Sequence, residues 1–516
     1  MSTTSKSDPF GSGAAEATRD RLTILAGTGQ NIVGLGVFVI ASFSMNILIA
    51  RAFGKGSGAL GQITLATQLA FVVGAATRFG MDMAAVRRVA IEVGQGTGGR
   101  SRAIVRIAVR IALAVSVLVG ALAFLFAAPI AALFNAPTAA YRASAVALVF
   151  VAIAQVYLGG SRGLKIMRHT LYAYWIGQSI GWIVLTLLAW AVIGKTVPVT
   201  VLSYAASWVL ATVIALISWR SATRGFAHLP AEPGETSALV RYGAPRAPAA
   251  LLSQALFYTD LAVLSHYLPA GDPALSVYAA CVRVSQALVL FLTAVSYMFS
   301  PFVADLYERK EHDQLNSLFK SITRWTLAGT IPLLLVLWIV PGPVLKVFGS
   351  DYDAGTSWLH ILLIGQIVNV SVGAAGFVLI MVGRTVWDLV VYATSFVLDL
   401  AVAITLVPQL GPKGAAIAQS ATLIFSNAFR LYLVWRFVRI QPYDRYYARL
   451  LIPTAIGAIA MVGINAMFAG PRWGLDLLAT GVIGGLVYYT AFLLFGLTPS
   501  EKGAVMRILH RSTAST

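Results

Sequence analysis

Three charged side chains stand inside long apolar stretches where no water can reach them: Asp260, Arg283 and Asp399. Near the centre of a bilayer each costs about 2.5–3.5 kcal/mol on insertion scales, so each needs a partner or a task. Asp260 lies ten residues before a turn centred near Ala270, and Arg283 thirteen after it. On adjoining antiparallel helices that is a depth difference of about 4–5 Å at 1.5 Å per residue, within reach of pairing. Two readings follow. Either the pair locks neighbouring helices, or Arg283 faces a polar cavity and holds an anionic group on its planar donors. Asp399 has no sequence-near partner. It is a proton or coupling-ion site, or it neutralises Arg283 from across the cavity.

Other chemistry is absent. The chain has no phosphate-binding Gly-Lys-Ser/Thr loop, no HExxH, no Cys/His cluster and no nucleophile elbow. Gly27-Thr-Gly29 lacks the third glycine and the preceding strand of a dinucleotide motif. No cofactor and no metal are therefore expected, and the chain is not expected to be an enzyme. The longest outer connection, Pro343–Trp358, offers only Lys346, Asp351 and Asp353. Cys281 is alone and lies in an apolar run, so no disulfide can form. Amides recur inside the apolar runs, among them Asn46, Gln155, Gln178, Gln286, Gln366, Asn369, Gln419 and Asn427. Taken singly they read as interhelical glue. As a set they suit a hydrogen-bonding interior for sugar hydroxyls.

The elements that must carry these groups are set by composition. Hydrophobic residues make up 58% of 516, charged residues 11%, and mean hydropathy is +0.79. A soluble domain carries about 25% charged residues to hydrate its surface, so most of this surface does not face water. Apolar runs of spanning length, about 20 residues each, fall near 31–50, 59–77, 108–129, 141–160, 171–193, 198–219, 247–267, 274–299, 325–345, 358–382, 386–407, 413–435, 449–469 and 475–497. An all-α polytopic membrane protein of about fourteen transmembrane helices is expected. Run 32–50 exceeds a signal-peptide core of about 7–15 residues and is read as the first span. The tail 1–22, rich in Ser, Gly and Ala, is expected to be disordered.

The net charge of +18 would suggest nucleic acid in a soluble protein. Its placement excludes that. With the N-terminus inside, inner segments carry 29 Lys+Arg, outer connections carry 7, and Arg283 and Arg430 lie within runs. This bias orients both termini to the cytoplasm and points to anionic lipid headgroups as the partner of the charge. Arg78–Arg110, with arginines interleaved among Val, Ile and Ala, reads as a helix leaving the second span to lie along the inner surface.

A repeat divides the chain. Gly56, Ala59 and Leu60 after the first span match Gly271, Ala274 and Leu275 after the seventh at an offset of 215 residues. His169-Thr-Leu-Tyr172 aligns with Arg384-Thr-Val-Trp387 at the same offset, and Leu133-Phe134 with Val347-Phe348 at 214. Six spans is an even number, so the two halves enter the membrane the same way round. The expected organisation is a tail 1–22, a six-helix bundle 23–219, a linker 220–246, a parallel second bundle 247–436, two extra helices 437–497 and a tail 498–516. In such repeats the substrate site lies between bundles and rocking gives alternating access.

Several segments carry a resemblance: Ile49-Ala-Arg-Ala-Phe-Gly54 with Ala59-Leu-Gly-Gln62, Ser300-Pro-Phe-Val-Ala-Asp-Leu-Tyr307, and Val347-Phe-Gly-Ser-Asp-Tyr-Asp-Ala-Gly355 followed by Leu359-His-Ile-Leu-Leu363 and Gly383-Arg384. On these the chain, from about Thr23 to Leu497, resembles the polysaccharide-biosynthesis flippases of the multidrug/oligosaccharidyl-lipid/polysaccharide exporter superfamily. The resemblance implies translocation of a polyprenyl-diphosphate-linked oligosaccharide from the inner to the outer leaflet of a bacterial cell membrane, and a cationic central cavity. It places Arg283 as the cavity cation and Arg51 near the outer mouth. Asp260, Asp399, Gln286 and Asn46 complete the candidate substrate site. A polysaccharide polymerase is the protein partner it implies. The first span carries only Asn31 and Asn46 as strongly polar groups, a departure from the peptidoglycan-precursor branch. An ion-coupled drug antiporter of the same superfamily is the alternative. It would normally carry acidic residues in the N-terminal spans, and these hold none.

Overall fold

The computed structural model describes residues 27, 29–30, 33–53 apart from 43, 47 and 50, then 59–133, 136–256, 259–268, 273–468, 473–498 and 501. The tail expected to be disordered and Asn31 lie outside them. Among the described residues the regular secondary structure is all helical, with no strand. They form α1 (Val33–Phe53), α2 (Ala59–Thr77), α3 (Met81–Gly94), α4 (Ser101–Leu125), α5 (Ala127–Leu133), α6 (Thr138–Gly163), α7 (Arg168–Val192), α8 (Val197–Ala222), α9 (Glu235–Gly243) and α10 (Arg246–Ala255). The chain continues with α11 (Thr259–Tyr267), α12 (Pro273–Glu308), α13 (His312–Ile339), α14 (Pro341–Lys346), α15 (Thr356–Val372), α16 (Ala375–Met381), α17 (Thr385–Leu410), α18 (Pro412–Val438), α19 (Leu451–Phe468) and α20 (Trp473–Ala491).

Among the described residues, 11 helices are long and apolar enough to cross a bilayer, or up to 12 if α2 and α3, bent by 47°, count as one span. The expected fourteen is thus not reached. The run near 247–267 is broken into α10 and α11, each too short to span alone. The run near 413–435 is one helix, α18, diluted by Lys413, Gln419, Asn427, Arg430 and Arg436.

Two compact units result. Unit 1 comprises Met1–Ala255, Ala294–Leu318 and Gly376–Ala393. Its centre is α6, packed against α2, α3, α4 and α8. Small residues let backbones close in, as membrane helices require where no hydrophobic force drives association. A Cβ on Gly159 would lie 2.3 Å from the Asp82 carbonyl oxygen, so only glycine permits this approach of α6 to α3. The turn between α2 and α3 runs through Gly80 at φ 68°, the left-handed region that glycine enters freely.

This turn corrects the surface-helix expectation for Arg78–Arg110. The segment is two elements, and Arg102, Arg106 and Arg110 belong to the spanning helix α4. α3 is largely buried, through Met81, Ala84, Ala85, Val86 and Val89, so it packs under protein instead of lying on lipid. Arg88 on α3 donates from Nε and Nη2 to the two carboxylate oxygens of Glu235 at 2.8 and 2.7 Å, which docks α9. Residues 294–318 and 376–393 join unit 1 through ion pairs and carbonyl contacts. Lys165 Nζ meets Asp305 at 3.0 Å, Arg246 pairs with Asp388, and Arg87 Nε donates to the Met381 carbonyl at 2.7 Å.

Unit 2 comprises Leu256–Thr293, Phe319–Ala375 and Thr394–Thr516. Its core gathers Tyr278, Cys281, Leu288, Leu359, Leu363 and Ala415. α15 and α18 pack closely and share an amide ladder. Asn427 Nδ2 donates to Asn369 Oδ1, and Asn369 Nδ2 to Gln366 Oε1, both at 3.1 Å. These three amides serve as interhelical glue. α20 is tied to α13 by Tyr488 Oη donating to the Ala328 carbonyl at 2.9 Å. Beyond α20, Glu501 accepts from Trp325 Nε1 at 2.6 Å and pairs with Arg324.

Candidate functional site

The buried charge predicted on the run after residue 247 is present, with different partners. Asp260 on α11 and Asp399 on α17 are each 1% exposed. Tyr278 Oη donates to Asp260 Oδ2 at 3.0 Å, Thr422 Oγ1 donates to Asp399 Oδ1 at 3.2 Å, and the two carboxyl groups are electrostatic neighbours. Two buried carboxylates side by side repel one another, and a proton or a cation ligated by the same oxygens relieves that repulsion. Asp260 Oδ1 and Asp399 Oδ2 have no hydrogen-bond partner among the described residues. Neither have Ser395 Oγ, one turn before Asp399 on α17, and Gln419 Oε1, one turn before Thr422 on α18. Buried orphans of this kind ask for an explanation. An oxygen set of this sort suits a proton or a hard cation.

Arg283 does not pair with Asp260. It sits exposed on α12 between buried Val282 and Val284, with no ion pair among the described residues. Depth along the bilayer put the two within reach, but rotation about the helix axis turns them apart, and Asp260 is met by Tyr278 five residues earlier on α12. The Asp260–Arg283 lock is therefore overturned, as is the reading in which Asp399 neutralises Arg283. Gln286 is half-buried on the same helix. Arg51 and Asn46 are exposed on α1, where Asn46 Nδ2 donates to the Ser42 carbonyl of its own helix at 2.9 Å.

Unit 1 holds a group the sequence reading passed over. Arg162, one residue from the end of α6, is 3% exposed. Its Nε and Nη2 have no acceptor among the described residues, and its Cζ stands 4.9 Å from the centroid of the Tyr297 ring. By position it falls between the apolar runs 141–160 and 171–193, among the inner-segment charges. The signal that it belongs to the bundle is Gly159-Gly-Ser-Arg-Gly163, small residues that carry the helix past the apolar run and let neighbours bury it. Beside it α7 opens as a π-helix over Leu171–Gln178, a local widening frequent at functional sites. Tyr174 there lies 4.5 Å from Trp175 and 5.7 Å from Trp208, ring centre to ring centre, and Arg78 and Arg162 are its charged neighbours.

These features describe a membrane-embedded helical protein with incomplete polar clusters buried inside it, as a transporter needs and a scaffold does not. Known structures agree on the fold. A multidrug resistance MATE family transporter of the MOP superfamily, in an outward-facing conformation, superposes with a TM-score of 0.68 at 14% identity, covering 81% of this chain and 96% of that one. A mutant of the Vibrio cholerae MATE transporter VcmN gives 0.71 at 14%, covering 84% and 100%. A MOP superfamily transporter from Pyrococcus furiosus, whose binding pocket of reverse polarity suggests a different function, gives 0.67 at 14%, covering 81% and 96%. No protein of curated function matches the sequence significantly.

The fold is thus that of the MATE transporters. The MatE profile matches residues 245–405, and that of the Polysaccharide biosynthesis protein family matches residues 22–305. With more than half of its length matched, the chain belongs to the Polysaccharide biosynthesis protein family.

Proposed function

We propose that this transporter is a flippase that carries a polyprenyl-diphosphate-linked oligosaccharide from the inner to the outer leaflet of a bacterial cell membrane by alternating access between two six-helix bundles. Both termini are cytoplasmic. The observation that carries this reading is the match of the polysaccharide-biosynthesis family over residues 22–305. The charges of unit 1 support it. Its buried carboxylates are neutralised, Asp82 by Arg78 at 3.1 Å and Asp305 by Lys165, while a buried arginine is left without an anion. That balance suits an anionic cargo better than a cationic drug. The dyad of Asp260 and Asp399 is the coupling site, loading a proton or cation from outside as the cargo is released.

The alternative, an ion-coupled small-molecule antiporter, draws on the MatE match over 245–405, which contains the dyad. Reconstitution decides between them. The full chain in liposomes, given a fluorescent polyprenyl-diphosphate oligosaccharide, is expected to expose the label to a membrane-impermeant quencher under an ion gradient. Liposomes that leave the label protected yet extrude a cationic dye under the same gradient would overturn the flippase reading.

A further inference from the structure

We propose that Arg162, together with the indole N–H groups of Trp175 and Trp208, forms a receptor inside unit 1 for a phosphate or diphosphate oxyanion. In the conformation described, the face of the Tyr297 ring shelters the guanidinium charge instead. The inference deepens the flippase reading and rests on it for the source of the anion.

A guanidinium offers five donors in one plane, and buried Arg is ordinarily matched edge-on by carboxylate or phosphate oxygens. Arg162 is buried, yet two of its three nitrogens find no acceptor among the described residues. The carboxylates of this region are ion-paired, Asp82 with Arg78 and Asp305 through Oδ2 with Lys165, while Asp305 Oδ1 makes no hydrogen bond among the described residues. Tyr297 offers the face of its ring to Arg162. A ring face draws the charge by its quadrupole but accepts nothing from the N–H edge. The charge is sheltered in this conformation while its hydrogen bonds remain unmade.

The neighbouring orphans have the same polarity. Trp175 Nε1 and Trp208 Nε1 are buried without acceptors, and an indole N–H can only donate. Both rings pack on Tyr174, whose charged neighbours are Arg162 and Arg78. Donors from α6, α7 and α8 therefore gather around one residue on a π-helical turn. A ligand that completes all of them must present several acceptor oxygens and negative charge. Phosphate esters and diphosphates do so.

Binding to full-length protein in phosphatidylcholine nanodiscs tests this, with three probes: sodium pyrophosphate, a polyprenyl diphosphate and phosphatidylglycerol. Arg162→Gln should weaken the productive probe by about 10- to 100-fold, as loss of a charge-assisted pair does, with Arg162→Lys intermediate. Tyr297→Ala should tighten it by about 3- to 5-fold, because the competing ring is gone. Arg162-dependent binding of any probe upholds the site, and which probe binds names the source: free diphosphate, carrier lipid or bulk phospholipid headgroup. Equal binding by wild type and Arg162→Gln overturns it. If Arg162→Gln does not fold, unchanged binding in Tyr297→Ala overturns it instead. No translocation is scored, so the site can stand on pyrophosphate even if the flippase reading fails. A polyprenyl diphosphate bound equally by wild type and Arg162→Gln would remove the site and leave that reading intact.

Discussion

Each unit of the molecule buries a polar cluster whose hydrogen bonding is unfinished, and the two are unfinished in opposite senses. In unit 1 the charged group without a counter-charge is Arg162, and the orphan atoms around Tyr174 are N–H donors. In unit 2 the charged groups without a counter-charge are Asp260 and Asp399, and the orphans beside them are oxygens. A transporter that coupled an anionic cargo to an inward-moving cation would need such a division. Each ligand brings the charge its own cluster lacks. Paired charges elsewhere show that the fold can bury ions with partners where it has no use for them bare. Arg246 with Asp388 and Arg324 with Glu501 are the examples.

The comparison breaks most decisively at the dyad. Asp260→Asn keeps an oxygen for the Tyr278 hydroxyl and nearly the same volume, so the protein should insert and fold. It cannot share a proton with Asp399 in the same way or carry the charge that draws a cation. Gradient-driven transport should fall by roughly 100-fold, near the upper end of coupling between sites. Asp399→Asn should do the same. Transport by either variant at the wild-type rate, still following the pH or sodium gradient, would show that unit 2 holds a structural carboxyl pair and no coupling site.

The paired charges supply the control. Asp388→Asn strands Arg246 in a buried place, and breaking such a pair costs about 3–5 kcal/mol. The unfolding midpoint in detergent should drop clearly, whereas Arg246→Met with Asp388→Leu should recover much of it. Arg162→Gln should leave the midpoint unchanged or raise it, since it removes a charge that has no partner. A midpoint that falls as far for Arg162→Gln as for Asp388→Asn would make Arg162 structural.

How much of this was legible follows from geometry. Asp260 and Asp399 announce themselves because a carboxyl within an apolar run has no innocent explanation. Their meeting does not, because sequence fixes depth along a helix and leaves its rotation open. Tyr278 and Arg283 lie about 3 Å and 4–5 Å from the depth of Asp260 at 1.5 Å per residue, on either side of it, and the rotation of α12 selects Tyr278. The break after Ala255 also shifts α11 out of the single run the hydropathy suggested. Arg162 was hidden by the very tally that oriented the chain. Counting cations at the ends of runs as loop charges is right for most, and wrong where glycines let a helix continue into packed protein.

The finest test separates the two halves of the donor cluster. Trp208→Phe and Trp175→Phe keep the rings against Tyr174 and remove one N–H each. If those groups only fill space, neither change should alter anion binding, and the removal of a buried unpaired donor should slightly stabilise the fold. If they complete an oxyanion site with Arg162, each should weaken the same probe by about 3- to 10-fold, the worth of one hydrogen bond. In unit 2 the equivalent change is Thr422→Val, which removes the donor to Asp399 Oδ1. It should shift the dependence on the driving ion without touching anion binding. A Trp208→Phe effect on ion dependence, or a Thr422→Val effect on anion affinity measured with no gradient, would mean the clusters do not act on separate ligands.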